Sequence, residues 1–261
     1  MLIEMNIYQH FRPEEREFID QVLQWKSNVE QQYAPKLTDF LDPREQHILK
    51  NLIGEQGEVK YQLFGGTTDL ERNRALIYPD YFITTEDEFQ ISLFEIQYPR
   101  KFVTIEHRQV LGTLMSLGLK RGKFGDILIT DEHVQFFAAK EISQYIKNNV
   151  ESIGRAGVKL AETGIDNVVA AAQVWDENEL TLSSLRLDTV ISGIYHLSRQ
   201  KSLALIQHGL VKVNWTLIEN PSFPCDEGDM LSVRGHGRAK IIGLDGKTKK
   251  EKWRIIVGKQ K

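Results

Sequence analysis

From Arg186 to Trp215 the chain reads RLDTVISGIYHLSRQKSLALIQHGLVKVNW, and from Pro221 to Arg238 it reads PSFPCDEGDMLSVRGHGR. Its punctuation decides the local fold. Arg186-Leu187-Asp188 opens one apolar segment and Ser198-Arg199 opens a second. Ser198 is a natural N-cap for a helix through Leu203, Ile206 and Leu210, because its hydroxyl can accept a free amide of the first turn. Gly209 stands where that helix should end, since glycine enters the left-handed region at no steric cost. The alternation Val211-Lys212-Val213 predicts a strand, Asn214-Trp215 a turn, and Gly228-Asp229 another turn before a strand over 230–233. Two short helices followed by strands, with basic residues at the junctions, make a plan for holding RNA.

These residues resemble the S4 domain, an RNA-binding module whose pattern runs R-L-D, S-R, I-x-x-G-x-V-x-V-N-G, P-S and G-D. One departure is Trp215, where the pattern has glycine; a non-glycine there disfavours a type I′ turn and sets an aromatic at the edge of the surface. With this module near the C-terminus and Arg234-Gly-His-Gly-Arg238 closing it, the chain resembles the YlmH family of bacterial S4-domain RNA-binding proteins. The resemblance implies structured ribosomal RNA or tRNA as partner, met on the large ribosomal subunit in translation quality control. It also ties the chain to cell-division gene clusters, which leaves a division-linked interaction protein as the alternative.

Arginine suits phosphate because its planar fork makes paired hydrogen bonds, so Arg186, Arg199, Arg234 and Arg238 are the first candidate contacts. Arg199 at a helix start has backbone N–H donors beside it. Asp188 reads as a cap or an orienting partner for an arginine. Ser198, Lys201, Gln207, Lys212 and Asn214 extend the same face by family resemblance. The glycines of Arg234-Gly-His-Gly-Arg238 let backbone approach RNA closely, or simply form a loop.

At 261 residues the chain has room for two or three domains, and 41% hydrophobic with 26% charged residues is a globular composition. Apolar runs are too short for a membrane span and the first residues lack a signal-peptide core, so a cytoplasmic protein is expected. The single cysteine, Cys225, excludes an internal disulfide. His10, His47, His107, His133, His196, His208 and His236 have no metal-ligand spacing, so neither metal nor cofactor is expected. The net charge of −3 conceals an asymmetry: 14 Lys/Arg against 7 Asp/Glu from 181 to 261, and 19 against 29 before that. A basic end on an acidic body fits one region meeting phosphate, or a solvated lysine-rich terminus.

Upstream, residues 1–57 read as helical. Pro13-Glu14-Glu15 makes a first turn, Phe18, Val22, Trp25 and Val29 follow at helical spacing, and Asp42-Pro43 starts a second helix that Gly54 and Gly57 end. Strands are expected at 59–64 and 75–78. From 89 to 161 the order is strand (89–98), helix (106–119), strands (126–129 and 134–138), helix (140–150), strand (158–161). That βαββαβ order is ferredoxin-like, as in RRM-type domains, although the aromatic RRM signature is missing. Phe94, Tyr98, Phe136 and Phe137 read as core or as a stacking platform. Arg100, Lys101 and Arg108 precede or open helix 106–119, and Lys120, Arg121 and Lys123 follow it, roughly 20 Å away at about 1.5 Å per residue. They could touch two points of a large RNA or be solvated loops. Residues 166–184 read as a polar hinge, and 238–244 with 251–257 as a hairpin turning at Asp245-Gly246.

The expected architecture is therefore α+β: a mainly helical domain (1–72), a central RRM-like domain with connector (73–180), and an S4 domain with a basic β-hairpin extension (181–261). A monomer without catalytic residues is expected. Arg186-Leu187-Asp188 imitates the catalytic aspartate setting of pseudouridine synthases, but the Ser198-Arg199 and Val213-Asn214 pattern assigns Asp188 to the S4 module. No glycine-rich methyltransferase loop is present in the sequence.

Overall fold

A computed structural model describes residues 11, 15–68, 70–170 and 175–260. The chain divides into two compact units, Met1–Ala171 and Ala172–Lys261. The fold is α+β, as the patterning predicts.

The first unit begins with helix α1 (Arg16–Gln32), which buries Ile19, Val22 and Val29 and ends at Tyr33 in the left-handed conformation. Pro13 and Glu14, the expected first turn, lie outside the described residues, as does His10. The stretch after α1 is not helical throughout: Lys36–Leu41 forms strand β1. Helix α2 (Pro43–Ile53) follows, with a reciprocal cap. The Asp42 carboxylate accepts the Glu45 N–H at 2.9 Å, and the Glu45 carboxylate accepts the Asp42 N–H at 2.7 Å. Strands β2 (Val59–Phe64) and β3 (Asn73–Pro79) complete an antiparallel sheet of order β1-β3-β2. Because β3 is the middle strand here, a domain cut at 72/73 would split a hairpin; the sheet keeps residues 73–79 with the N-terminal helices.

The central strands and helices follow the expected order. They are β4 (Ile91–Gln97), α3 (His107–Ser116), β5 (Phe124–Ile129), β6 (Val134–Ala139), α4 (Ser143–Asn149), a small hairpin of β7 (Ser152–Ile153) and β8 (Ala156–Gly157), and β9 (Lys159–Thr163). The sheet order β5-β6-β4-β9, all antiparallel, is the ferredoxin-like one. One face carries Phe94 stacked on Phe136, with the Ser143 hydroxyl of α4 donating to Ser92 Oγ at 2.8 Å. Alternation turns Phe137 to the other face, where the N-terminal part covers it. A Cβ on Gly125 would stand 2.8 Å from the Phe137 Cβ and 2.9 Å from the Phe40 ring, and one on Gly66 2.3 Å from the Phe137 ring. All six residues of β6 are consequently buried.

The described parts of 166–184 are structured within the two units. Val168 and Val169 pack on the central core, and the Gln135 side chain donates to Asn167 O and accepts from Val169 N, each at 3.0 Å. Strand β10 (Trp175–Leu182) belongs to the second unit, pairing with its last strand along its whole length. There, helices α5 (Leu187–Ile194) and α6 (Arg199–Gln207) pack on strands β11 (Val211–Val213), β12 (Thr216–Leu217), β13 (Met230–Val233), β14 (Gly237–Lys247) and β15 (Trp253–Gln260). The sheet order is β10-β15-β14-β13-β11-β12. The final hairpin does not turn at Asp245-Gly246. Gly246 sits at a register shift with φ +76°, and the chain reverses at 248–251, where Thr248 N–H donates to Lys252 O at 2.7 Å.

Candidate nucleic-acid interface

The starts of α5 and α6 converge on one carboxylate. Asp188, with a side chain 1% exposed, accepts two hydrogen bonds from Arg186, at 3.2 and 3.1 Å, and two at 3.4 Å from Arg199. Its first oxygen also accepts the Thr189 N–H at 2.9 Å. Burial alone would raise this carboxyl's pKa; the Arg186 hydrogen bonds and the charges of Arg186 and Arg199 outweigh it and hold the group below the usual carboxylate range. The arginines keep much of their surface in water, 44% for Arg186 and 62% for Arg199. A buried anion thus aims two solvent-facing guanidinium groups, whose outward N–H donors suit phosphate oxygens.

The local sequence explains why α5 starts there. The loop 221–225 closes over it: Leu187 N–H donates to Phe223 O at 2.9 Å, Asp188 N–H to Pro221 O at 3.1 Å, and Cys225 N–H to Leu185 O at 2.9 Å. The first two bonds occupy first-turn amides that a helix cannot satisfy internally. At α6 the Ser198 hydroxyl accepts the Lys201 N–H at 3.2 Å, the expected cap. Lys201 and Gln207 are exposed on this helix.

The other predicted contacts separate from this pair. Val211, Val213, Leu231, Val233 and Ala239 are buried toward the helices, so alternation puts Lys212, Ser232 and Arg238 on the opposite face of the sheet. They form one row, Lys212 opposite Ser232 and Ser232 opposite Arg238. Lys212 therefore does not extend the helix-side surface. Asn214 is a turn lock: it donates to the Asp229 carboxylate at 2.7 Å and accepts the Met230 N–H at 2.9 Å. With φ +48° at Asn214 and +63° at Trp215, the hairpin adopts the left-handed pair of a type I′ turn without glycine. Arg234 is exposed; Gly235 and Gly237 beside it have φ +81° and +90°. The Tyr195 hydroxyl donates to Gly237 O at 3.0 Å, fixing that loop on α5.

In the first unit, Arg108 is 84% exposed and pairs with Glu106 at 2.7 Å, and Lys120 is exposed. Arg121 turns back on its own strand, donating to Phe124 O at 2.6 Å. Lys123 bridges Asp39 at 2.6 Å and Glu141 at 2.9 Å, joining β1 to the central domain. Phe94, Phe136 and Phe137 are core, not a stacking platform. Among the described residues no group of three or more His, Cys, Asp or Glu could hold a metal ion, and no helix is long and apolar enough to cross a membrane.

Two RNA-binding-type folds in one chain, one with arginines fanned from a buried aspartate, define a multidomain protein built around an S4 module. Family comparison agrees. Residues 185–231 match the S4 domain, 14–82 the family "YlmH, N-terminal", and 84–167 the family "Putative RNA-binding domain in YlmH". The chain is 45% identical over 256 residues, 98% of its length and 99% of the other's, to the ribosome-associated protein quality control protein P2 of Bacillus subtilis. Its S4 region is 37% identical over 67 residues to the small ribosomal subunit protein uS4c of Guillardia theta, covering 24% of this chain and 32% of that one. A solved structure, the cell division protein ylmH from Streptococcus pneumoniae, matches with TM-score 0.54 and 36% identity, over 62% of this chain and 98% of that chain. The chain belongs to the YlmH family.

Proposed function

We propose that this chain is a non-enzymatic, cytoplasmic RNA-binding protein that acts as a monomer in ribosome-associated quality control. In this reading the S4 module meets structured ribosomal RNA or tRNA on the large ribosomal subunit. The observation that carries it is the Arg186–Asp188–Arg199 cluster: a buried carboxylate that accepts from two exposed guanidinium groups. Exposed arginine pairs of that kind recognise phosphate. Arg234 and Lys201 add charge on the same unit, Lys212 and Arg238 lie on the opposite face of its sheet, and Arg108 and Lys120 are secondary candidates.

The same geometry speaks against a pseudouridine-synthase role, since a nucleophilic aspartate must reach its substrate and Asp188 is sealed. Cys225 is equally unsuited to nucleophilic work: it is buried, and burial with the nearby Asp229 charge pushes its thiol up to about 12. The division-linked reading rests on the name of the Streptococcus pneumoniae protein. In-cell crosslinking followed by sequencing of the bound RNA separates them. Ribosomal and tRNA reads support the quality-control reading; their absence, with the protein recovered at division sites, favours the other.

A further inference from the structure

The positive charge of the C-terminal unit is not where the S4 module is. Residues 181–236, which contain that module, hold five Lys/Arg and five Asp/Glu, whereas residues 237–261 hold nine and two. Residues 181–236 are thus electrically neutral, and the entire excess belongs to the closing hairpin.

That hairpin is an ordered continuation of the S4 sheet. Strand β14 pairs with β13 through residues 237–240 and with β15 from Ala239 to Lys247, and β15 is backed by β10 over eight residues. Its tip is fixed by Glu251 N–H donating to Thr248 O at 2.9 Å, by the Lys247–Glu251 ion pair at 3.1 Å on the exposed edge, and by the Lys247 ammonium 5.2 Å from the Trp253 ring centre. Lys249, Lys250 and Lys252 are exposed and have no ion-pair partner among the described residues. The acids of β10 oppose the other end: Asp176, Glu177 and Glu179 face Lys259, Gly258 and Ile256, while Thr181 and Leu182 flank Arg254 and Trp253. At about 3.3 Å per residue, the tip stands roughly 20 Å along β14 from Lys240, several phosphates away on any RNA strand.

We propose that residues 237–260 form a phosphate-binding arm that grips an RNA segment separate from the one met by Arg186 and Arg199, and that this arm supplies most of the long-range electrostatic affinity. The inference rests on the RNA-binding reading above and assigns a division of labour within it: the S4 module orients, and the arm attracts. RNA is favoured over an anionic membrane because none of the large apolar side chains exposed in the described residues lies in this hairpin, so nothing is present to insert into lipid.

The test uses the full chain with Lys247, Lys249, Lys250 and Lys252 all changed to glutamine, and a companion with all four changed to arginine. Co-sedimentation with purified large ribosomal subunits is followed from about 50 to 200 mM salt, where each phosphate contact contributes roughly 0.7–0.9 to the slope of log affinity against log salt. The glutamine variant should lose about 3 from that slope and bind at least tenfold more weakly at the low-salt end, while far-UV circular dichroism shows the fold retained. The arginine variant should match the wild type. Arg199→Glu, by contrast, should weaken binding with a slope change of only about 1. An unaltered slope in the glutamine variant overturns the arm while leaving the S4 reading intact. Flotation of the wild type, but not that variant, on phosphatidylglycerol vesicles without any slope change would assign the charge to membrane instead. Failure of the wild type to bind subunits even at low salt removes the RNA reading and the arm with it.

Discussion

The central sheet and the C-terminal sheet are both antiparallel with helices on one face, and both resemble RNA-binding folds, yet they treat their second face differently. In the central domain, β6 reads VQFFAA and is buried at every position, because the N-terminal part packs Phe40 and the Gly66 turn against Phe137. In the C-terminal unit, β11 reads VKV with only its valines buried, and its lysine looks outward. A strand apolar on both faces is one covered on both faces. A ferredoxin-like order of elements therefore does not deliver the surface on which RRM domains stack bases. The largest effect should follow from that contrast. Removing residues 172–261, the unit with open and charged surfaces, should lower ribosome binding by about a hundredfold or more at moderate salt, the scale expected when several phosphate contacts go. Equal co-sedimentation of residues 1–171 and the full chain would mean the covered domain carries the affinity after all.

The cover itself can be attacked. Gly125 leaves no room for a side chain between Phe137 and Phe40. Gly125→Val should overpack that contact and cost about 1–3 kcal/mol, read as a lower urea midpoint, with RNA binding by the C-terminal unit retained. A neutral outcome would show that the two layers part easily, and the central sheet would return as a candidate surface.

Two aspartates give the comparison in electrostatic form. Asp126 of β5 accepts the Glu71 and Arg72 N–H groups at 2.6 and 3.2 Å; burial outweighs these donors and raises its pKa. Asp188 is buried too, but its arginines win and lower its pKa. The signs then diverge. Asp188's contribution is complete above its unfolded pKa, near the ordinary 3.8, and is lost as pH falls through the lower folded value. Asp126 has the raised folded pKa, so its charged form is disfavoured at neutral pH and the penalty is relieved as pH falls through that value. Chemical denaturation at stepped pH should therefore find the acid loss of stability shallower in Asp188→Asn and steeper in Asp126→Asn. Parallel changes in both variants would break the contrast.

Much of this was legible in the chain. Helix α2 was marked by Asp42-Pro43, α6 by Ser198 and Gly209, and the central order by its alternating periods. What escaped had physical reasons. Strand β1 lies between two helices in a six-residue stretch, KLTDFL, too short for a period to declare itself. Strand β10, WDENELTL, is polar because it is a sheet edge, exposed at most positions, and so resembles a linker. Asp245-Gly246 carries hairpin-turn chemistry but serves a bulge, since left-handed glycine suits both. Lys123 and Asn214 look like surface contacts in sequence; only their distant partners Asp39, Glu141, Asp229 and Met230 reveal that they hold the fold.

The smallest change in stability should come from the helix start that links architecture to recognition. Ser198→Ala removes the hydroxyl that accepts the Lys201 N–H and should cost about 1 kcal/mol, with RNA affinity falling no further than that loss of fold explains. Arg199 is the reverse case. Its bonds to Asp188 are long, at 3.4 Å, its side chain is 62% exposed, and Arg186 continues to neutralise the carboxylate when it is gone. Arg199→Glu should thus change stability by only about 0–1 kcal/mol. Its effect on ribosome co-sedimentation should be far greater, because a donor aimed at phosphate becomes a repelling carboxylate at the same point. If Arg199 served Asp188 alone, the two readouts would exchange places: a clear drop in melting temperature and binding near wild type. Measuring both on Ser198→Ala and Arg199→Glu side by side distinguishes a residue that builds the helix start from one that uses it.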